Sequence, residues 1–341
     1  MRPSSGLSPG ARPGGSAQGE IESGGVSLMS IGFRPVNAHS GHLRSWRPNR
    51  ALSASAAAVA LLLAAVLGIG WIASERAIHP AICRYEKGLA DFPNLHPYQV
   101  SIESRTHTRI ASWFFPGTRR ATVLLSHGYG DNQIQMLPYA DFLVRQGFSV
   151  LTYDMRNRGR SSGDAVTLGA LEGPDISSAV DYLMTRPDVD PDRIGAMGLS
   201  LGASATILAA ASDSRIKAVL DDSGFSDAPA AIRSSFEHFI GLPSFPFAPL
   251  TVSIMRLRTG IDVNRIRPAD VIARISPRPL LIVHCMDDKV VPPDNSERNF
   301  AAAKEPKQFW RIPSGGHVNG LKAAGREYEL RAGQFFAESL R

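Results

Sequence analysis

The stretch "IGAMGLSLGAS" (residues 194–204) holds one hydroxyl group, that of Ser200, in a Gly-x-Ser-x-Gly frame. The residues before this serine are typical of a buried strand, and those after it of a helix. The frame therefore lies where a strand turns sharply into a helix, which is the context that this motif requires to present a nucleophile. Side chains at Gly198 and Gly202 would collide with the neighbouring helix and strand, which explains why both are glycines.

Around that stretch, short β-rich runs alternate with helical runs, a pattern that predicts an α/β fold with a mostly parallel sheet and helices on both faces. Strands are expected at residues 109–115, 121–126, 148–153, 193–199, 216–220 and 280–284, with a last strand ending at 311–313. Helices are expected near 136–146 and at 174–184, 201–212 and 322–340. Between about 225 and 276 the alternation gives way to apolar residues and prolines, which indicates a small inserted helical cap.

A serine hydroxyl needs a base and an orienting acid before it can attack a substrate. "LLIVHCMDDKVVP" (280–292) places Asp288 just beyond a strand, with Asp287 beside it as an alternative. "RIPSGGHVNG" (311–320) places His317 in a glycine-rich loop beyond another strand. Because ligands bind outside the carboxyl ends of parallel strands, Ser200, the acid and His317 can meet at one edge of the sheet.

A fourth element precedes these three in the chain. "LLSHGYGDN" (124–132) follows an early strand, and a backbone N–H of this loop can join that of Leu201 in an oxyanion hole. Gly128 and Gly130 would let the backbone approach the substrate oxygen closely. We interpret His127 as a structural part of this loop rather than as a second base.

Two further stretches complete a family pattern: "YDMRNRGRSSGD" (153–164) has the form D-x-R-x-x-G-x-S, and "DVDPDRIGAMGLSLGA" (188–203) leads into the serine. With them, residues 98–341 resemble the α/β-hydrolases, and among these the bacterial hydrolases related to the catalytic domains of prolyl oligopeptidase and dienelactone hydrolase. The resemblance implies an α/β-hydrolase fold and the following roles: nucleophile Ser200, acid Asp288, base His317, and oxyanion N–H groups from Tyr129 and Leu201.

Other roles are expected for two further carboxylates, one cysteine and one histidine. The family register favours Asp288 over Asp287, and Asp222 could orient the histidine from a different strand but is better interpreted as capping a turn. Family members usually have glycine where this chain has Cys285, a change expected to affect packing rather than chemistry. His284 is expected to form hydrogen bonds within the sheet.

The first 50 residues carry four of the six net positive charges, because six arginines face only Glu20 and Glu22. The folded part is therefore nearly neutral, and no nucleic-acid partner is expected. Glycine, serine, proline and arginine dominate this segment, so it is expected to be disordered. Met29 is an alternative start.

The next segment, residues 51–74, is uncharged, mainly apolar and long enough to cross a bilayer. Its length and the absence of an A-x-A-like exit favour an uncleaved signal anchor over a cleaved signal peptide. We expect a single-pass membrane protein with a linker at 75–97. The arginines before the segment modestly favour a catalytic domain on the outer side, periplasmic or extracellular.

These observations predict a serine hydrolase acting on a small-molecule acyl substrate, most simply a carboxylic ester. The alternatives are a serine peptidase, an acyltransferase or thioesterase, and a membrane-tethered binding protein without turnover. No cofactor and no metal are expected, because neither a dinucleotide fingerprint nor metal-ligand spacing is present. The apolar cap residues could form an acyl-binding wall or only the cap's own packing: Phe236, Phe239, Ile240, Leu242, Phe245, Phe247 and Leu250. Pairing of Cys83 with Cys285 and the oligomeric state stay open.

Overall fold

The computed structural model describes residues 49–341, so the expectations for residues 1–48, including a start at Met29, lie outside the described residues. Within them the strands are β1 (Tyr98–Glu103), β2 (Arg109–Phe115), β3 (Thr122–Ser126), β4 (Ser149–Tyr153), β5 (Ile194–Leu199), β6 (Ile216–Asp222), β7 (Leu280–Cys285) and β8 (Lys307–Ile312). They form one sheet in the order β1-β2-β4-β3-β5-β6-β7-β8.

The burial of the strands agrees with their directions in the sheet. Strands β3, β4, β5 and β7 are buried along their whole length, and β6 is buried at every residue except Lys217, as expected for parallel strands covered on both faces. Strands β1 and β2 are antiparallel to their neighbours at one edge, and β1 is largely exposed. The predicted mostly parallel α/β sheet is confirmed.

Helices cover both faces of the sheet. Their bounds are α1 (Arg50–Ile78), α2 (Leu137–Arg145), α3 (Glu172–Met184), α4 (Leu201–Ser212), α5 (Ala228–Ser235), α6 (Ser244–Thr259), α7 (Pro268–Val271), α8 (Asp294–Ala302), α9 (Gly320–Ala324) and α10 (Arg326–Ser339), with short 3-10 turns at Leu89–Asp91, Gln133–Met136, Val263–Arg265 and Ile272–Ile275 and a π turn at Phe236–Ile240. The closing helix expected at 322–340 is two helices, because Gly325 adopts a left-handed φ of 51° between them.

Helix α1 is long and apolar enough to cross a membrane by length and composition, and most of its apolar stretch is exposed. It continues past residue 74 into the segment expected to be a linker. Only the last turns are buried, at Gly70, Ala73, Ser74 and Ile78. Beyond the helix the chain stays on the domain, since the carbonyl of Ile78 accepts from the N–H of Val166 at 2.9 Å.

The insertion between β6 and β7 is helical, as expected. Helices α5, α6 and α7 and the π turn form it, and they pack on one another and on the main core. This cap and the last turns of α1 lie on the same side of the domain, because Gly70 contacts Leu250 of α6.

Candidate active site

Ser200 lies at the turn from β5 into α4, with φ of 53° and ψ of −117°. This conformation is rare for a residue with a side chain and is maintained by the packing around it. A Cβ on Gly198 would lie 2.2 Å from the carbonyl carbon of Gly202, and one on Gly202 would lie 2.3 Å from the carbonyl oxygen of Ser126. The structure therefore explains both glycines of the frame by close backbone approach.

The three residues predicted to act together are joined by hydrogen bonds. Ser200 Oγ donates to His317 Nε2 at 2.9 Å, and His317 Nδ1 donates to Asp288 Oδ2 at 2.7 Å. They come from the ends of β5, β7 and β8, whose parallel pairing brings those ends to one edge of the sheet. The arrangement has the geometry of a nucleophile, a base and an orienting acid.

The environment of Asp288 keeps it ionised. Its Oδ1 accepts from the N–H groups of Val290 and Val291 at 2.8 and 3.0 Å, and His284 Nε2 lies 3.2 Å from its Oδ2. Burial alone would raise the pKa of Asp288, but hydrogen bonds from His284 and His317 outweigh it and hold the pKa well below its ordinary value. A permanent carboxylate fixes the proton of His317 on Nδ1 and leaves Nε2 free to accept from the serine.

The alternative carboxylates have other partners. Asp287 accepts from the N–H groups of Gly315 and Gly316, both at 2.8 Å, so it braces the loop that carries His317. Asp222 is buried and accepts from Tyr328 Oη at 2.6 Å. Neither contacts the histidine, and the acid in contact with it is Asp288.

Cys285 lies beneath the same loop. A Cβ on Gly315 would lie 2.8 Å from Cys285 Sγ, so this thiol packs against the backbone two residues before His317. Burial raises the pKa of Cys285 to about 12, which keeps the thiol protonated. Both cysteines are free, with Cys83 exposed and Cys285 buried.

The two backbone donors predicted for an oxyanion hole lie on different elements, Tyr129 on the loop after β3 and Leu201 at the start of α4. Within the described residues, neither the N–H of Tyr129 nor that of Leu201 takes part in a backbone hydrogen bond. Gln135 Oε1 accepts from the N–H of Gly128 at 2.7 Å and braces the loop from below. Sequence reasoning missed this role of Gln135. The only sign of it in the sequence is the position of Gln135 in the turn that follows the loop.

His127 has no free lone pair for base chemistry. Its Nδ1 donates to the carbonyl of Gly128 at 2.8 Å, and its Nε2 accepts from the N–H of Met155 at 2.9 Å. Burial lowers the pKa of His127 to about 4, so the ring stays neutral. It joins the loop to the end of β4.

The D-x-R-x-x-G-x-S loop is structural. Asp154 accepts from the N–H groups of Gln133 and Arg160 at 2.9 and 2.8 Å. It thereby joins the turn before α2 to the loop after β4. Arg156 pairs with buried Asp175 at 2.8 Å. None of these side chains contacts Ser200.

A cavity of about 400 Å³ lies above Ser200 and His317 and is mostly apolar. Of the cap residues proposed as an acyl-binding wall, Phe236, Phe239 and Ile240 line it. The others do not: Leu242 and Phe247 pack on the core, Phe245 is exposed, and Leu250 contacts α1. The last turns of α1 supply a further wall that sequence reasoning did not foresee.

Metal ligands are not grouped in the described residues. Among residues 49–341 no set of three or more histidine, cysteine, aspartate or glutamate side chains is placed to hold an ion.

A family model of the X-Pro dipeptidyl-peptidases (S15 family) matches residues 84–236. The uncharacterized protein Rv2307c of Mycobacterium tuberculosis (strain ATCC 25618 / H37Rv) is 30% identical over 234 residues, covering 67% of this chain and 74% of that protein. The esterase Pf2001 of Pyrococcus furiosus superposes with a TM-score of 0.66 at 22% identity, over 78% of this chain and 99% of that chain. The α/β-hydrolase GrgF of Penicillium sp. sh18 superposes with a TM-score of 0.61 at 20% identity, over 72% and 99%.

This chain belongs to the α/β-hydrolase family. Its mostly parallel sheet and the turn at Ser200 agree with that fold. At identities near 20%, these structural likenesses show the fold alone.

Proposed function

We propose that this α/β-hydrolase cleaves carboxylic esters through an acyl-enzyme intermediate on Ser200. The observation that carries the proposal is the unbroken hydrogen-bond relay from Ser200 through His317 to Asp288, with distances of 2.9 and 2.7 Å. Two N–H groups without a backbone hydrogen bond lie beside the serine, that of Tyr129 on the loop after β3 and that of Leu201 at the start of α4.

The steps follow from these positions. His317 Nε2 takes the proton as Ser200 Oγ bonds to the ester carbonyl carbon, and the N–H groups of Tyr129 and Leu201 stabilise the oxyanion. The C–O bond to the alcohol breaks, and the alcohol leaves with that proton. Water then gives a proton to His317 and its oxygen to the acyl carbon, which releases the carboxylic acid and restores Ser200.

The lining of the cavity favours an ester over a peptide. Asp131 is the one acidic residue among the described residues that line it, and its carboxylate accepts from Tyr85 and from Gln135 Nε2. Each oxygen of that carboxylate already accepts a hydrogen bond, and the rest of the lining is mostly apolar, which suits an acyl group better than a substrate ammonium group. A serine peptidase is nevertheless the second candidate, because the S15 family model matches residues 84–236.

The same proposal includes a location. About 20 residues of α1, from Arg50 to Ile69, precede the part that packs on the domain and extend about 30 Å, the thickness of a bilayer core. We propose that α1 is a single-pass anchor. The arginines at positions 44, 47 and 50 support an inner N-terminus and a catalytic domain on the outer side.

The test uses the full chain in detergent or vesicles. A fluorophosphonate should add once to the protein by intact mass, and Ser200→Ala and His317→Ala should abolish the adduct. Ser253→Ala, at an exposed serine of the cap, is the matched control and should react normally. Hydrolysis of 4-nitrophenyl acetate but not of the corresponding anilide or of an alanyl-proline anilide supports the esterase, and the reverse supports the peptidase.

No adduct on the folded full chain would refute both candidates and leave a non-catalytic binding protein. Transfer of the acetyl group to an added alcohol in preference to water would indicate an acyltransferase instead.

A further inference from the structure

The anchor helix forms part of the wall of the active-site cavity. Ala73, Arg76 and Ala77 of α1 line the same cavity as Ser200 and His317. Ala73 is almost fully buried, and its methyl group is on the inner face of the helix. A segment expected only to attach the enzyme to a membrane therefore also shapes the space that receives the substrate.

Contacts with the cap fix this wall in place. A Cβ on Gly70 would lie 2.7 Å from Leu250 Cδ2, so α1 and α6 approach closely at that point. Arg258 of α6 donates to Ser74 Oγ at 3.0 Å and forms an ion pair with Glu75. Its guanidinium also lies 4.8 Å from the centre of the Trp71 ring.

A second set of bonds joins the end of α1 to the loop of the oxyanion donors. Tyr129 Oη donates to the carbonyl of Arg76 at 2.6 Å, and the N–H of Cys83 donates to the carbonyl of Gly130 at 3.0 Å. The wall, the cap and the oxyanion loop are thus one connected structure around Ser200.

The distance along α1 places this wall near the bilayer. If the unpacked part of α1 ends at Ile69, Ala73 lies about 6 Å and Ala77 about 12 Å further along the helix axis. An acyl chain that leaves the apolar core of the membrane beside α1 therefore has about 6–12 Å to travel to the cavity wall.

The cap also carries exposed apolar side chains. Phe239 is 64% exposed, Phe245 is 78% exposed, and Leu257, next to Arg258, is 82% exposed. Large apolar side chains in such numbers on a cap that contacts a candidate membrane helix suit the interface between headgroups and acyl chains.

We propose that the substrate of this hydrolase is a membrane amphiphile with an acyl ester, whose chain enters the cavity from the bilayer along Ala73 and Ala77. This inference rests on the proposed ester hydrolysis and adds the substrate class. The apolar cavity of about 400 Å³ receives the acyl chain, and the ester carbonyl lies at Ser200. A short water-soluble ester can reach the serine without using this wall.

The test compares 4-nitrophenyl laurate with 4-nitrophenyl acetate, using the full chain in phosphatidylcholine vesicles. Ala73→Phe fills the wall and should lower kcat/KM for the laurate about 30-fold, as expected when two to three methylene groups lose their burial site. Its kcat/KM for the acetate should fall by a much smaller factor, because the acetyl group has no long chain to bury against this wall. Ala65→Phe, at an exposed position of the same helix, is the matched control and should leave both rates unchanged.

The outcomes separate the two proposals. If the unmodified protein hydrolyses neither ester, the proposed function fails and this inference fails with it. If it hydrolyses the acetate well, but the laurate poorly or with equal loss in Ala65→Phe and Ala73→Phe, the esterase stands and the membrane substrate is refuted.

A second measurement needs no variant and so does not depend on the folding of Ala73→Phe. A decyl fluorophosphonate with a diazirine at the chain end is allowed to react with Ser200 and is then irradiated. Cross-links from the tryptic peptide 194–215 to peptides 51–76 or 77–84 are expected, because these carry the α1 wall. Cross-links confined to peptides outside residues 51–84 would refute the inference.

Discussion

Replacing Gly202 with alanine tests how the backbone of the site is held. In the structure, a Cβ at this position would lie 2.3 Å from the carbonyl oxygen of Ser126 and 2.4 Å from that of His127. Real Cβ atoms essentially never approach another heavy atom closer than 3.0 Å, so α4 and the end of β3 must separate by about 0.7 Å, the difference between 3.0 and 2.3 Å.

That separation has a chemical consequence, because the loop carrying the N–H of Tyr129 begins directly after His127. The Leu201 N–H lies on the other side of the same gap, so widening it moves one oxyanion donor away from the other. Loss of one such donor lowers kcat by about 100- to 1000-fold. We also expect the free energy of unfolding to fall by about 1–3 kcal/mol from overpacking.

The assay is hydrolysis of 4-nitrophenyl acetate by the full chain, together with urea unfolding. Gly173→Ala is the matched control, because a Cβ there would have its nearest neighbour at 3.7 Å, an ordinary contact. This control should keep its rate and become slightly more stable, since alanine leaves the unfolded chain fewer conformations than glycine does. A Gly202→Ala protein with kcat within about threefold of the unmodified protein would refute the reasoning.

Three further outcomes follow from the electrostatics and packing of the domain. Asp288→Asn should lower kcat about 10³- to 10⁴-fold, because an amide does not stabilise the charged imidazole of His317, whereas Asp287→Asn only loosens the loop and should cost about tenfold. Burial raises the pKa of Asp221 to about 6, so the folded protein binds a proton that the unfolded chain releases near pH 4. The free energy of unfolding should therefore fall as the pH rises from 4 to 6, by about 3 kcal/mol at most, and Asp221→Asn should remove that part of the slope. Arg258→Ala should release the last turns of α1 and speed tryptic cleavage after residue 76.

Each of these outcomes has its own check. Equal losses in Asp288→Asn and Asp287→Asn would mean that both act only on the loop. An unchanged slope in the urea series from pH 4 to 6 would remove Asp221 as its source. For the proteolysis experiment, Arg298→Ala on the exposed face of α8 is the control, and equal cleavage rates in the two variants would contradict the proposed role of the α1 contacts.

The sheet and the serine turn could be predicted from sequence because their signals are local. Strand β2 and helix α4 have the expected bounds, and β5 begins one residue later than expected. Continuous apolar runs and a Gly-x-Ser-x-Gly turn depend on neighbours within a few positions. Parallel pairing brings the carboxyl ends of the strands to one edge of the sheet. The proximity of Ser200 and His317 could therefore also be predicted from sequence.

Other features depend on contacts between distant parts of the chain. Adjacent Asp287 and Asp288 have the same chemistry, and only the fold sends one to the histidine and the other to the N–H groups of Gly315 and Gly316. The hydrogen bond from the Gly128 N–H to Gln135 Oε1 likewise depends on the fold and could not be predicted from sequence. Apolar periodicity identifies the residues of the cap but does not separate those that line a cavity and are buried, such as Phe236, from those that face solvent, such as Phe245.

The place of Ala73 in the cavity bears on how this enzyme can be studied in isolation. A protein proposed to have one membrane anchor is commonly made soluble by cutting the chain just after the apolar segment, here near residue 75. Such a cut deletes Ala73 together with Gly70 and the Trp71 ring on which Arg258 rests, and it opens one side of the substrate chamber to water. A library screened against that soluble fragment would select ligands for a vestibule that the intact enzyme does not possess.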